Sequence, residues 1–330
     1  MKLSLLDLSP VAAGRAPSQA LRDTVDVARA CDTLGYTRFW VAEHHGMANI
    51  AASAPEVLVA HIAAVTSRLR VGTGGIMLPN HNPLRLVEIF RALAALHPGR
   101  IDLGVGRAPG TDPLTASALQ RDGQDDPNAR LAEMLAFDQA GFAEGHPFRG
   151  ITPMPADVHL PDVWMLGSTL TGAQLAADLG LRYAFAGHFA MRHAQAALSW
   201  YRAHFVPSAQ LPGPVAMLAV TVVCGETDEH AERLAAPIKL GVVRIRTGRR
   251  AAFATIEEAL AYRYTPQEEA IADDFLRGAV IGGPERVREG LERLLATSGA
   301  DELMLSTLLP DPEDRLASHR RVATAVGLVA

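Results

Sequence analysis

Four short stretches of this 330-residue chain carry side chains suited to chemistry. The first is Glu43-His44-His45-Gly46. An acid beside two histidines can supply a base near neutral pH, because free imidazole titrates near about 6.5. The same ring can also donate to an oxygen, bond a backbone carbonyl or bind a metal. Zinc is the weakest of these, since adjacent strand histidines point to opposite faces and no His-x-x-x-His spacing follows. The second stretch is Gly72-Thr73-Gly74-Gly75-Ile76-Met77-Leu78-Pro79-Asn80-His81. Glycines in a strand let a backbone or a flat ligand approach closely; a bulge without function is the competing reading. No Lys-Ser/Thr follows at the spacing a phosphate loop needs.

The third stretch, Gly104-Val105-Gly106-Arg107-Ala108-Pro109, offers Gly-x-Gly but no third glycine opening a helix, so it is not a dinucleotide fingerprint. Arg107 reads as a fixed fork for an anion or as a salt-bridge partner. In the fourth, Leu166-Gly167-Ser168-Thr169-Leu170-Thr171-Gly172, hydroxyls and free amides stand where a strand gives way to a helix. That combination binds anions, phosphate most naturally, although an ordinary N-cap has the same look. Arg107 belongs to the preceding strand, so the third and fourth stretches can converge on one phosphate.

The elements that must position these groups alternate along the chain. Apolar runs predict strands over Leu3–Leu8, Arg38–Ala42, Leu69–Leu78, Ile101–Val105, Val163–Gly167, Tyr183–Gly187, Val215–Val223 and Glu302–Leu308. Helical periodicity predicts helices over Ser18–Leu34, Ala54–Ser67, Pro83–Leu96, Asn128–Glu144, Thr171–Leu179, Met191–Phe205, Asp228–Leu240, Pro284–Ala296 and Pro312–Val326. Ser18 stands where an N-cap belongs, Gly35 just past a helix end, and Pro83 and Pro284 at first turns. Eight strands, each followed by helix, predict a single-domain α/β fold over residues 1–330, a (β/α)8 TIM barrel; an open doubly wound sheet is the competitor. Two segments exceed the plain repeat, at about 107–128 and 241–274. The second, carrying Arg244, Arg246, Arg249 and Arg250, is expected to form a lid over the barrel mouth. Barrel phosphate sites usually follow strands seven and eight, so the one expected here is displaced.

Composition narrows the classes. Apolar residues make up 48% and charged ones 20%, which describes a globular chain. The net charge of −5 gives no reason to expect nucleic acid or an acidic membrane surface. No apolar stretch approaches the roughly 20 residues of a membrane helix. The N-terminus meets Asp7 early and shows no small-residue cleavage site, so a cytoplasmic protein is expected. Cys31 and Cys224 are expected as two buried thiols rather than a disulfide.

The chain resembles the bacterial luciferase-like flavin-dependent monooxygenases, in a branch of mostly unassigned substrate. The resemblance rests on Phe39-Trp40-Val41-Ala42-Glu43-His44-His45, Val71 to His81, Pro98 to Arg107, Leu166-Gly167-Ser168 and Ala184-Phe185-Ala186-Gly187-His188-Phe189. It implies reduced FMN, supplied by a separate flavin reductase, with its ring against a cis peptide at Gly74–Gly75. Leu166 and Gly167 would lie along the cofactor, and Arg107, Ser168 and Thr171 would hold its phosphate. His44 would assist oxygenation through a C4a-hydroperoxide, which then oxidises a small organic substrate. Luciferase carries a cysteine where this sequence has Gly106, so a roomier cavity is expected. A homodimer without metal is implied. The same fold also accommodates hydride transfer with the deazaflavin F420, or flavin binding without catalysis.

Overall fold

The computed structural model describes residues 1–119, 126–249 and 251–328. Its strands are β1 (Leu3–Asp7), β2 (Arg38–Val41), β3 (Arg70–Thr73), β4 (Ile76–Met77), β5 (Ile101–Gly106), β6 (Asp162–Gly167), β7 (Arg182–Ala186), β8 (Ala216–Cys224), β9 (Val280–Gly282) and β10 (Glu302–Ser306). β1, β5, β8 and β10 are buried at every position. Such strands carry no polar alternation because helices cover one face and the barrel interior fills the other. β1 pairs with β2 on one side and β10 on the other, and β10 pairs with β8. The remaining pairings, β2–β3, β3–β5, β5–β6, β6–β7 and β7–β8, complete a closed parallel barrel. This is the (β/α)8 architecture that the alternation predicts.

The surrounding helices are α1 (Pro17–Cys31), α2 (Pro55–Val65), α3 (Pro83–Leu96), α4 (Pro113–Leu119), α5 (Pro127–Gln139), α6 (Leu170–Asp178), α7 (Gly187–Ala190), α8 (Ala194–His204), α9 (Asp228–Arg246), α10 (Ile256–Ala261), α11 (Pro266–Leu276), α12 (Pro284–Ser298) and α13 (Pro312–Ala325). Pro83 and Pro284 open their helices as expected, Pro83 behind an Asn82 side chain that accepts from Arg85 N. The α1 start differs. Pro17 takes the first turn and Ala16 the cap position, leaving Ser18 inside the helix. Cys31 and Cys224 are buried free thiols. No described helix is long and apolar enough to cross a membrane.

Three further differences bear on the barrel mouth. The single strand expected over Leu69–Leu78 is two, β3 and β4, divided at a cis Gly74–Gly75 peptide bond and followed by a tight turn at Leu78–Asn80. β9, absent from the expected set, extends the carboxyl end of β8. And α9 does not stop at Leu240 but runs through Gly241 to Arg246. Gly241 is no stop signal here: a Cβ on it would lie 2.6 Å from Phe253 Cε1, so the missing side chain makes room for a ring. Among its described residues the segment 241–274 holds the last turns of α9, all of α10 and most of α11, while Arg250 lies outside the described residues. Of the segment 107–128, residues 120–125 lie outside the described residues.

The amino ends of the strands are closed by charge. Asp102, with no exposed side-chain surface, accepts from Arg38 at 2.8 Å, Arg70 at 2.6 Å and the Trp40 indole at 3.0 Å. Arg38 also bonds Glu302 at 3.0 Å, and Arg70 and Arg182 each reach Asp162 at 3.1 Å. Ser4 completes the set by donating to Glu302. Breaking a buried ion network by deleting one member leaves the others desolvated and unpaired, at a cost of about 3–5 kcal/mol. Asp102→Ala is accordingly expected to lower stability by about 3–5 kcal/mol in urea denaturation. A loss under about 1 kcal/mol would show that the arginines find other partners.

Candidate functional site

Because all barrel strands run one way, the four chemical stretches meet on one rim at the carboxyl ends of β2, β3, β5 and β6. A cavity of about 310 Å³ opens there. His44, Gly74, Arg107, Leu166, Gly167 and Ser168 line it. Gly75 is turned away from it and lies against β5, where a Cβ would sit 2.7 Å from the Gly104 carbonyl oxygen. Thr171 is exposed on the first turn of α6, outside the lining, and Thr169 lines the cavity in its stead. Sequence reasoning did not assign Thr169, Met77, His188 or Phe189 to the site, although all four line it. The signal for His188 was available, since it stands two residues past Ala186, the carboxyl end of β7. Nor is the space beside Gly106 empty. A Cβ there would meet Met77 Sδ at 2.9 Å, so the thioether takes up the room that the missing side chain leaves.

Glu43 arranges this rim. Its side chain has no exposed surface, and its carboxylate accepts from His45 Nε2 at 2.8 Å, His81 Nε2 at 2.9 Å, Asn80 Nδ2 at 2.9 Å and the Met77 amide at 2.8 Å. Burial alone would raise its pKa; the bonds from His81, Asn80 and Met77 outweigh that and hold it below the usual glutamate value. Two of the four histidines near the rim, His45 and His81, are thereby used as donors. Adjacent side chains diverge as an extended strand requires, with His45 turned to Glu43 and His44 to the cavity.

His44 is held by its backbone amide, which donates to Ala52 O at 2.9 Å, while its Nδ1 is buried without a partner among the described residues. Burial pushes its pKa down to about 4, against the raising influence of Glu43. His188 behaves alike: its Nδ1 also lacks a partner among the described residues, and burial, with His44 nearby, brings its pKa to about 4. Both rings are therefore neutral at physiological pH. A neutral imidazole is a poor general base at pH 7 when its conjugate acid is this strong, but it donates one hydrogen bond and accepts another.

Across the cavity lies an anion-binding corner. Arg107 leaves β5 and packs on the first turn of α6, where a Cβ on Gly172 would stand 3.6 Å from its Nη2. It donates to Asn128 Oδ1 at 3.3 Å, and no carboxylate pairs with it among the described residues. The α6 cap residue, Thr169, makes no side-chain capping bond, and while the Gly172 amide donates to Thr169 O at 3.2 Å, the Leu170 and Thr171 amides have no partner among the described residues. Tyr183 fixes this corner by donating to Thr169 O at 3.2 Å.

A closed parallel barrel with an anion corner, a cis glycine pair and neutral histidines around one mouth defines an enzyme-like cofactor cavity. The chain belongs to the luciferase-like monooxygenase family, whose profile matches residues 1–302. It is therefore an oxidoreductase by family. It is 39% identical over 318 residues to the luciferase-like monooxygenase of Escherichia coli strain K12, covering 96% of this chain and 94% of that one. It is 32% identical over 334 residues to the N-acetyl-S-alkylcysteine monooxygenase of Bacillus subtilis strain 168, covering 99% and 98%. The crystal structure of apo-MsnO8 superimposes with a TM-score of 0.90 at 38% identity, covering 99% and 98%. The oxygenating constituent of 3,6-diketocamphane monooxygenase from Pseudomonas putida, in complex with FMN, shares the fold with a TM-score of 0.72 at 19% identity, covering 99% and 97%. So does an F420-dependent secondary alcohol dehydrogenase, at 0.63 and 16%, covering 99% of both chains.

The depressed histidines fix the sign of one pH effect. In the unfolded chain each takes a proton below about pH 6.5, whereas in the fold it stays neutral to about pH 4. Stability is thus lost as the pH falls through that window. Glu43, depressed in its turn, adds a loss only at lower pH. His44→Gln should shrink the stability drop between pH 7 and pH 5 by about 2 kcal/mol, read from urea midpoints. An identical drop in both proteins would mean that His44 is protonated in the fold.

Proposed function

We propose that this protein is the oxygenating component of a two-component monooxygenase, using reduced FMN and O2 to oxidise a small organic molecule. The observation that carries the reading is one cavity holding both an unneutralised arginine at an uncapped helix start and a buried, neutral, half-unpartnered histidine. These residues fit a flavin mononucleotide. Gly74 and Leu166 offer apolar surface to a flat ring, and the Gly74–Gly75 backbone lies too close to its neighbours to carry side chains. Arg107, Ser168, Thr169 and the amides of α6 make a terminus for phosphate, with Thr171 on the same turn.

Bound reduced FMN would supply two electrons to O2, so that one oxygen atom enters the substrate and the other leaves as water. The chain's own groups bind, orient and shelter. Arg107 anchors the phosphate end, so that the ring end is held at the glycine pair. His44, neutral and beside the ring's place, donates or accepts a hydrogen bond without adding charge. Leu8, Phe185 and Phe189 line the cavity with hydrocarbon and exclude water. Relatives above 30% identity bear monooxygenase names, which supports oxygen chemistry over deazaflavin hydride transfer. Delivery of reduced flavin by a separate reductase is supported by the Gly104-Val105-Gly106 strand end, which runs into Arg107-Ala108-Pro109 instead of a glycine-opened helix.

Two variants test the roles. Arg107→Ala should weaken FMN binding by about 1.5–3 kcal/mol in a fluorescence titration. Unchanged affinity would place the phosphate elsewhere, and tighter binding of F420 than of FMN to the parent protein would turn the reading to hydride transfer. His44→Gln should leave FMN affinity intact yet slow oxygenation about 100-fold in stopped-flow mixing with O2. Unaltered kinetics would reduce the protein to a flavin carrier.

A further inference from the structure

A second cavity, of about 260 Å³, lies beside the first. Leu8, His44 and Phe189 line both, so these three side chains form a common wall. The outer side is built by the part of α9 that continues past Leu240, through Val242 and Ile245, together with Phe253 and Phe275. Of its lining only His44, Asn49 and Arg246 are polar, and none is acidic.

Arg246 stands out among the arginines of this segment. Arg244 donates to Ala252 O at 3.5 Å, and Arg249 is held by Tyr262 Oη at 2.9 Å and by Glu268. Arg246 is exposed and makes no hydrogen bond or ion pair among the described residues. Its position in the last turn of α9 suits the helix dipole, but that serves Arg244 equally and calls for no cavity. A guanidinium without a counter-ion, at the edge of hydrocarbon walls, is matched by a carboxylate, which it grips through two parallel bonds.

We propose that this second cavity takes a small molecule with an apolar body and one terminal anion, the anion on Arg246 and the apolar end against the Leu8–His44–Phe189 wall. The volume is slightly below the roughly 300–1,000 Å³ of drug-sized sites, which limits the body to a short alkyl chain or a single ring. That this ligand is the substrate rests on the oxygenase reading above; its anionic character rests on Arg246. Taken together they fix where oxidation falls. The two cavities adjoin at this wall, so the ligand's apolar end is the part nearest the flavin's place and the atom that gains oxygen is remote from the anion. The balance is one substrate, one O2 and one reduced FMN giving oxygenated substrate, FMN and water.

The test uses the purified full chain and calorimetric titration with three probes of equal length, hexanoate, hexanamide and hexylamine. Hexanoate is expected to bind about 10- to 100-fold more tightly than the other two. Arg246→Gln should abolish that preference. Arg107→Ala and Arg244→Gln should retain it, which separates this site from the phosphate corner and from general basicity. Equal binding of the three probes, no binding of hexanoate, or a preference surviving in Arg246→Gln would overturn the proposal. If the parent protein binds hexanoate through Arg246 but fails to bind FMN, the anion site stands and the oxygenase reading falls.

Discussion

The mouth of this barrel depends on one buried carboxylate. An ionised glutamate with no exposed surface is tolerated only when its oxygens are supplied with donors, because the desolvation cost otherwise exceeds what a fold can bear. Glu43 collects four, from the turn after β2 and from the β4 region across the gap. Meeting that demand draws two loops together, and both ends of the drawn-in backbone matter. On one side it sets His44, the next residue along, toward the cavity. On the other it fixes Met77 and the chain leaving the Gly74–Gly75 bond. The carboxylate is thus a positioning group: it does not line this cavity and yet decides what does.

The two ends of the barrel solve opposite problems. At the amino ends, Asp102, Arg38, Arg70, Asp162, Arg182 and Glu302 neutralise one another in a ring of ion pairs that fills the bottom. At the carboxyl ends charges are left uncompensated: Arg107 has no carboxylate among the described residues, and the start of α6 has no side-chain cap. A protein gains nothing in stability by leaving cations and amides unmatched, and their concentration on one rim is what the proposed phosphate site rests on. Trp40 joins the two ends, its indole donating to Asp102 below and its ring facing the cavity above.

Most of the barrel was legible because apolar runs and helical periodicity are local properties. The rim was legible at single positions for the same reason: Arg107 and Ser168 follow strand ends, and Gly74–Gly75 stands where only glycine fits. What escaped depended on contacts between distant segments. Nothing local distinguishes His44 from His45, and the choice is made by Glu43 bonding His45 and His81, 38 residues further on. Gly241 looks like a helix stop; only the ring of Phe253 against it shows why the helix passes through. The expectation of a roomy pocket at Gly106 failed likewise, because Met77 arrives from a strand that the sequence does not separate from its neighbour.

The charge layout of the mouth follows from its walls. His44 and His188 are neutral because burial disfavours the proton, with His45 adding to the effect on His44 and His44 to that on His188. The same burial is what would keep water from a reactive flavin. In the proposed reading neutral imidazoles and the exclusion of water are one property, not two, and a change that admitted water would also raise the histidines toward their ordinary values. In the proposed arrangement the two uncompensated arginines stand at the outer limits, Arg107 for the cofactor's phosphate and Arg246 for the substrate's anion. Between them the common wall of Leu8, His44 and Phe189 carries no net charge, so the two anions are drawn to separate ends and only uncharged groups meet where oxygen would be transferred.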